Sequence, residues 1–274
     1  LDKRAFVYAL AATNVAITGK GVIDGSSEAF RTWNPRLKRY WRTHDLDLPG
    51  RCLLFVRCAA VRLEDFTVLH TTGWNTWILG CDRVTARGVT LDTDPEYPNG
   101  DGFHISSCRD VLVEKCRVFS SDDSFAIRSH QELLPPELAA CERITVRDTV
   151  CSSSGASFCR FGWSTDYAVR DVLFDNVVCS NCWEGVSVRL PNLDPAYLEP
   201  PRGHGLEPLP PEQCKPFELE RIVFRNCRIT SEVHPIEFCI GNGLKTRPVE
   251  FIRNLRFENV VFDCTNPPQM VVWA

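Results

Sequence analysis

The sequence predicts an all-β chain wound as a single-stranded right-handed parallel β-helix, and three observations carry that prediction. An apolar template recurs along most of the 274 residues, its apolar positions alternate as strands do, and its copies are separated by short, uneven intervals. The copies read CAAVRLEDFTV from Cys58, CDRVTARGVTL from Cys81, CRDVLVEKCRV from Cys108 and CERITVRDTVC from Cys141. VRDVLFDNVVC follows from Val169, LERIVFRNCRI from Leu219 and IRNLRFENVVF from Ile252, with a weaker copy, ATNVAITGKGV, from Ala12.

The shared template is apolar at offsets 0, 3, 5, 8 and 10, which describes two short alternating strands joined by a bend. Its β-branched content favours strand over helix. From Cys58 onward the copies are spaced by 23, 27, 33, 28, 50 and 33 residues, a short minimum with insertions, as in a solenoid whose coil is one repeat. A further short strand precedes each copy: Trp-Ile-Leu before Cys81, Phe-His-Ile before Cys108, and later FAIRS, FCRFG, VSVRL and IEFCI. Three strands per coil, stacked at about 4.8 Å, make a rod of roughly 40 Å over eight coils. A propeller blade needs four strands at regular spacing, and no amphipathic helical stretch signals an α/β fold. The proline-rich segments, Pro135-Pro136 and Pro191 to Pro216, read as insertions because repeats continue on both sides. One domain over 1–274 is expected, trimmed at the N-terminus, since LDKRAFVYAL reads as the middle of a fold.

Composition narrows the function. A net charge of -4 does not hold nucleic acid by bulk attraction, and no apolar run approaches the roughly 20 residues of a membrane span. The expected form is a monomer with no nucleic-acid or membrane partner, secreted or periplasmic. Fourteen cysteines are many. Those at offsets 8 and 10, such as Cys116, Cys151, Cys179 and Cys227, are expected to point inward as reduced filler, with secretory disulfides as the other reading. Cys179-x-x-Cys182 has no matching second pair, so zinc is not expected.

Period-two alternation sorts the strands that precede the template. Phe103 and Ile105, Phe125 and Ile127, Cys159 and Phe161, and Val186 and Val188 are expected inward. His104, Ala126, Arg128, Phe158, Arg160, Ser187 and Arg189 are expected outward. Stacking then makes a column of His104, Arg128, Arg160 and Arg189. The mutual repulsion of its arginines would be relieved by an anionic ligand. Solubility of an exposed edge is the plainer reading. Asp101, in Asn-Gly-Asp-Gly, precedes one of these strands, and Asp122-Asp123 precedes the next. Asp101 and Asp122 are 21 residues apart, close to the shortest coil, so all three acids should meet on one face. Three carboxyls in one place cannot all keep ordinary pKa values. A raised carboxyl beside an ionised one is the pairing that glycosidic cleavage needs. Turn chemistry accounts for Asp101 as well, and a calcium site accounts for the cluster.

On these residues the chain resembles glycoside hydrolase family 28, the polygalacturonase-like pectinases, as a divergent member. Gly19-Lys20-Gly21-Val22-Ile23-Asp24-Gly25 is similar to that family's G-x-G-x-I-D-G opening, and Trp74 sits seven residues before Cys81, where the family has a tryptophan. Asn99-Gly100-Asp101-Gly102 is similar to N-T-D-G, and Asp122-Asp123 with Ala126-Ile127-Arg128 to D-D-x-x-A-I-K. The resemblance implies a pectin-lyase-like solenoid and an inverting hydrolase that needs no metal or cofactor. It implies Asp122 as general acid and Asp101 with Asp123 as the pair that activates water. Two motifs depart: Gly155-Ala156-Ser157-Phe158 has no histidine where the family has G-H-G, and Ser187-Val188-Arg189 stands where it has R-I-K. His104, one coil away, is a candidate stand-in for that histidine.

The expected reaction is therefore hydrolysis of an α-glycosidic bond in an acidic, galacturonate-containing pectic polysaccharide or oligosaccharide. His104, Arg128, Arg160 and Arg189 are the expected substrate-binding residues, the arginines holding a uronate. Trp163 and Trp183 are candidates to stack on sugar rings, and His130 with the 191–216 insertion, His204 included, to wall the groove. The rival readings are a calcium-dependent polysaccharide lyase, a non-catalytic carbohydrate-binding β-helix, and a trimeric structural solenoid.

Overall fold

A computed structural model of the chain describes residues 5–36, 38–42, 49–131, 133–163, 166–190, 215–240, 249–266 and 270–273. The backbone winds in coils stacked in parallel. A front sheet stacks nine strands in chain order: Ala5–Leu10, Arg51–Val56, Trp74–Leu79, Phe103–Ser106, Phe125–Arg128, Ser157–Phe161, Glu184–Arg189, His234–Cys239 and Met270–Trp273. The template forms a bent back sheet, with Ala59–Glu64, Asp82–Arg87 and Arg109–Glu114 stacked on one leg and Thr67–Leu69, Thr90–Asp92 and Arg117–Ser120 on the other. An antiparallel hairpin, Arg31–Asn34 with Arg39–Arg42, interrupts the first coil.

The bend between the legs lies at template offset 7. Asp65, Lys115, Asp148, Asn176, Asn226 and Asn259 take φ values between 50 and 63 there, and Gly19 and Gly88 occupy it in two other copies. Asp, Asn and Gly tolerate this left-handed conformation best, so the bend is written in the sequence. A second left-handed corner at offset 2 is not: Ala60, Arg83, Asp110, Arg143, Asp171, Arg221 and Asn254 share no chemistry, yet φ there runs only from 53 to 58.

The core lies between the sheets. All five apolar offsets of the copies from Cys58, Cys81 and Cys108 are buried in it, Cys58, Val61, Leu63, Phe66 and Val68 in the first. Equal offsets stack as like on like. Phe174 and Phe224 are parallel with centroids 5.0 Å apart, and Phe224 and Phe257 repeat the arrangement at 5.2 Å. Thirteen described cysteines are unpaired, and burial pushes the Cys116 and Cys141 thiols up to about 12. A thiol held protonated is slow to form a disulfide.

Two inward–outward expectations are corrected. Phe158, expected outside, is fully buried against Phe125 and Phe174, because the corner before its strand turns it into the core. Val22, at offset 10 of the weak copy, is 60% exposed, and Ile23 pairs with Val68 instead. That copy has one extra residue in its bend, and one residue exchanges the two faces of a strand.

Outside the back sheet, charge alternates from coil to coil. Offset 6 runs Arg87, Glu114, Arg147, Asp175, Arg225, Glu258 in register. Offset 2 runs Arg83, Asp110, Arg143, Asp171, Arg221, with Arg143 bridged to Asp110 at 2.7 Å and Arg221 to Asp171 at 2.5 Å. Each exposed pair is worth about 0–1 kcal/mol. Their combined effect is on register, since a slip by one coil sets like charges face to face.

Phe174 touches Phe125, Phe158 and Phe224 at once. Phe174→Ala is expected to cost about 3–5 kcal/mol in urea unfolding; a loss below about 1 kcal/mol would mean that the coils close around the cavity.

Candidate active site

The three acids stand where two neighbouring front strands begin. Phe103 pairs with Phe125, so Asp101 and Asp123 occupy equivalent positions two residues ahead of them. The coils approach closely here. A Cβ on Gly102 would lie 2.5 Å from the Ser124 carbonyl oxygen, and one on Gly100 would lie 2.4 Å from the Ser121 hydroxyl. Both glycines of Asn-Gly-Asp-Gly are thus demanded by contact between coils. Backbone bonds fix the acids: Gly102 N–H donates to the Asp123 carbonyl at 2.9 Å, and Asn75 N–H to the Asp101 carbonyl at 2.9 Å.

One oxygen from each of Asp101, Asp122 and Asp123 lies within 4.8 Å of the others. Asp101 and Asp123 are each 2% exposed, while Asp122 is partly open to solvent. Asp123 accepts Ser157 N–H at 3.1 Å and is salt-bridged to Arg160 through its other oxygen. Burial, then the charges of Asp122 and Asp123, hold the Asp101 carboxyl well above its usual range, and Arg160 and Arg51 offset only part of this. Asp101 Oδ1 is buried without a hydrogen-bond partner.

His104 is fully buried, its Nε2 3.6 Å from Asp101 Oδ2 and its ring stacked on Trp74 at 3.7 Å. The Arg51 guanidinium also lies 3.7 Å from the Trp74 ring centroid. Burial, followed by the charges of Arg128 and Arg160, holds the His104 imidazole well below its usual pKa, beside the raised Asp101 carboxyl. The acids have the spacing of a cation site, but the Arg160 guanidinium already occupies Asp123 Oδ2, where a metal would have to displace it.

The expected arginine column divides in two. His104 aligns with Ala126, Arg160, Ser187 and Glu237, whereas Arg128 aligns with Ser106, two residues further along. Arg189 follows Ser187 by two residues and pairs with Cys239, off the Arg160 column. Alternation alone gives two outward positions per strand, and only pairing of the buried partners selects the register.

Each arginine meets a carboxylate. Arg128 grips the fully buried Asp166 through Nε at 3.2 Å and Nη2 at 3.0 Å. Arg189 lies between Glu237, at 2.8 Å, and Glu184, at 3.1 Å. Trp163 packs over Arg160 at 5.0 Å, and Trp183 is 46% exposed. His130, expected to wall a groove, is instead 5% exposed and edge-on to Trp77. His204 and residues 191–214 of the expected wall lie outside the described residues.

Asp166, Glu184 and Glu237 escaped the sequence reading. Glu184 had a signal, because Glu184-Gly-Val-Ser-Val repeats the pattern of Asp101-Gly-Phe-His-Ile three strands along the same front sheet, and its position pairs with Ser157 next to Asp123. Glu237 had a weaker one, alternating with Ile236 and Phe238 at the position aligned with Ser187, and Asp166 had none.

Fold and site together define a parallel β-helix with three convergent carboxyls on its front face. The chain belongs to the glycosyl hydrolases family 28, whose model matches residues 1–191. It is 22% identical over 238 residues to a probable polygalacturonase of Arabidopsis thaliana, an alignment covering 86% of this chain and 46% of that protein. It thus spans about half the length, or less, of the curated relatives it matches. Among solved structures, the endo-xylogalacturonan hydrolase from Aspergillus tubingensis superposes with a TM-score of 0.68 at 11% identity, over 97% of this chain and 75% of that one. An exopolygalacturonase from Thermotoga maritima does so with a TM-score of 0.61 at 18% identity, over 96% and 69%. Their likeness identifies the fold as the right-handed parallel β-helix.

Burial alone would raise the Asp166 carboxyl, but Arg128, His130 and Ser129 N–H bring it down to about 2. The stability it contributes is present above its ordinary value of 3.8 and is lost as pH falls through about 2. Asp166→Asn removes the charge that Arg128 grips in a buried pair, with an expected loss of about 3–5 kcal/mol at neutral pH in urea unfolding. A loss under 1 kcal/mol would mean that Arg128 is solvated in solution.

Proposed function

We propose that the protein is a glycosidase that cleaves α-glycosidic bonds of pectic polysaccharides or oligosaccharides with inversion, and that it acts outside the cytoplasm, where such polymers occur. The observation that supports this most is the convergence of Asp101, Asp122 and Asp123 within 4.8 Å, where burial and the neighbouring charges raise the Asp101 carboxyl. Membership of the hydrolase family and the polygalacturonase relatives agree with it.

In this reading Asp122, the acid open to solvent, protonates the leaving glycosidic oxygen. Asp123, salt-bridged by Arg160, takes a proton from the attacking water, and Asp101 orients that water from the neighbouring coil. Inverting enzymes leave room for water between acid and base, at about 6.5–9.5 Å between carboxyl groups. The nearest oxygens here are closer than that, so product stereochemistry is the decisive readout.

Wild-type protein incubated with a panel of pectic oligosaccharides should release product of inverted anomeric configuration in the first NMR spectra; retained configuration would exclude this mechanism. Asp122→Asn, with unchanged circular dichroism, should lower kcat by about 10²–10⁴. No turnover by the wild type, with oligosaccharide binding that Asp122→Asn leaves unchanged, would point to a binding module; turnover by Asp122→Asn equal to wild type would remove Asp122 as the acid, and loss of wild-type activity on chelation would point to a calcium-dependent lyase. Because the raised Asp101 carboxyl keeps the cluster's proton, the alkaline limb of kcat/KM should fall well above pH 3.8, the ordinary value for aspartate, with activity lost as pH rises through it.

A further inference from the structure

The three arginines that strand alternation sets on the front face, Arg128, Arg160 and Arg189, are already committed within the chain. Arg128 Nε and Nη2 both donate to Asp166. Arg160 Nε is bonded to Asp123, and its Nη1 donates to the Gly162 carbonyl at 2.8 Å. Arg189 Nε donates to Glu237 and its Nη2 to Glu184. In every case Nε, the corner of the guanidinium that grips a carboxylate side-on, faces a carboxylate of the protein. Arg128 and Arg160 are also buried, at 4% and 9% exposure.

The carboxylates are not idle partners. Ser187, fully buried in the column of His104 and Arg160, donates its hydroxyl to Glu237 at 2.9 Å, so Glu237 is held by two groups at once. Glu184 stands beside Ser157 in the row that begins with Asp101 and Asp123. Burial raises the Glu184 carboxyl, and Glu237 and Asp123 add to this, which Arg189 only partly offsets. The charge of these three arginines is therefore matched, with Arg189 shared by two carboxylates and Asp122 standing in addition. A uronate aimed at them would have to displace a carboxylate from a built pair and lie among the others.

From this pairing we infer that the sugar ring bound against Asp101, Asp122 and Asp123 is neutral, with no carboxylate at C6. The inference deepens the glycosidase reading and rests on it for the location of the sugar. Neutral α-linked sugars occur in pectic polymers alongside uronates, and hydroxyl groups are suited to the acceptor-rich surface that these pairs present.

The test uses pectic oligosaccharides, each acidic one paired with its carboxyl-reduced form. Binding is measured by calorimetry on the wild type with non-hydrolysable thio-linked forms of each pair, and turnover with the natural linkage. The neutral partner of at least one pair should bind and turn over at least about 10-fold better. Tighter binding of the acid form, weakening as salt is raised, overturns the inference, as does failure of every neutral oligosaccharide to bind. Binding of the neutral form with no turnover of any substrate would sink the glycosidase reading and leave this one standing. Glu237→Gln releases one side of Arg189 and should raise affinity for the acid form at least 5-fold in a folded variant; no gain would count against the inference.

Discussion

In-register stacking of parallel coils is the constraint on which everything else depends. Hydrogen bonds between coils set each residue about 4.8 Å from the residue at the same offset in the next coil. A chemistry repeated in sequence thereby becomes a column in space. Apolar offsets become a continuous core, in which Phe174, Phe224 and Phe257 stack face on face. Charges at offsets 2 and 6 become ladders that hold together only because their signs alternate.

The same constraint makes an unfavourable cluster possible. Asp101 and Asp123 would separate if they could, but each is fixed by backbone bonds to the neighbouring coil and by glycines that let the coils close. The repulsion is stored as a shifted protonation equilibrium, because the scaffold is too well determined to relax. Burial falls hardest on Asp101: Asp123 has Arg160 and Ser157 N–H as partners, while Asp101 Oδ1 has no hydrogen-bond partner. The arginines are part of this balance. Their partners, Asp166, Glu237 and Glu184, turn what alternation in sequence suggests is a cationic strip into a set of closed pairs.

The core and the acid cluster were legible because both follow from a short period. Offsets 0, 3, 5, 8 and 10 name buried residues in copy after copy, and Asp101 and Asp122-Asp123 precede equivalent strands. The exceptions have local causes: one extra residue in the bend before Ile23, and a corner that turns Phe158 inward. The partners of the arginines were not legible. Asp166 is 38 residues from Arg128 and lies outside any repeated motif, and Glu237, 48 from Arg189, sits in a recurring strand whose pattern names no arginine partner.

The sequence by itself determined the coil, its three strands, the inward set and the meeting of three acids, since each depends on a period that a linear chain records. Only the tertiary structure decided which arginines share a column, which carboxyl of the cluster is raised and how the arginines of the front face are paired. Those depend on distances between side chains of different coils and on their exclusion from water, and neither quantity has a period along the chain.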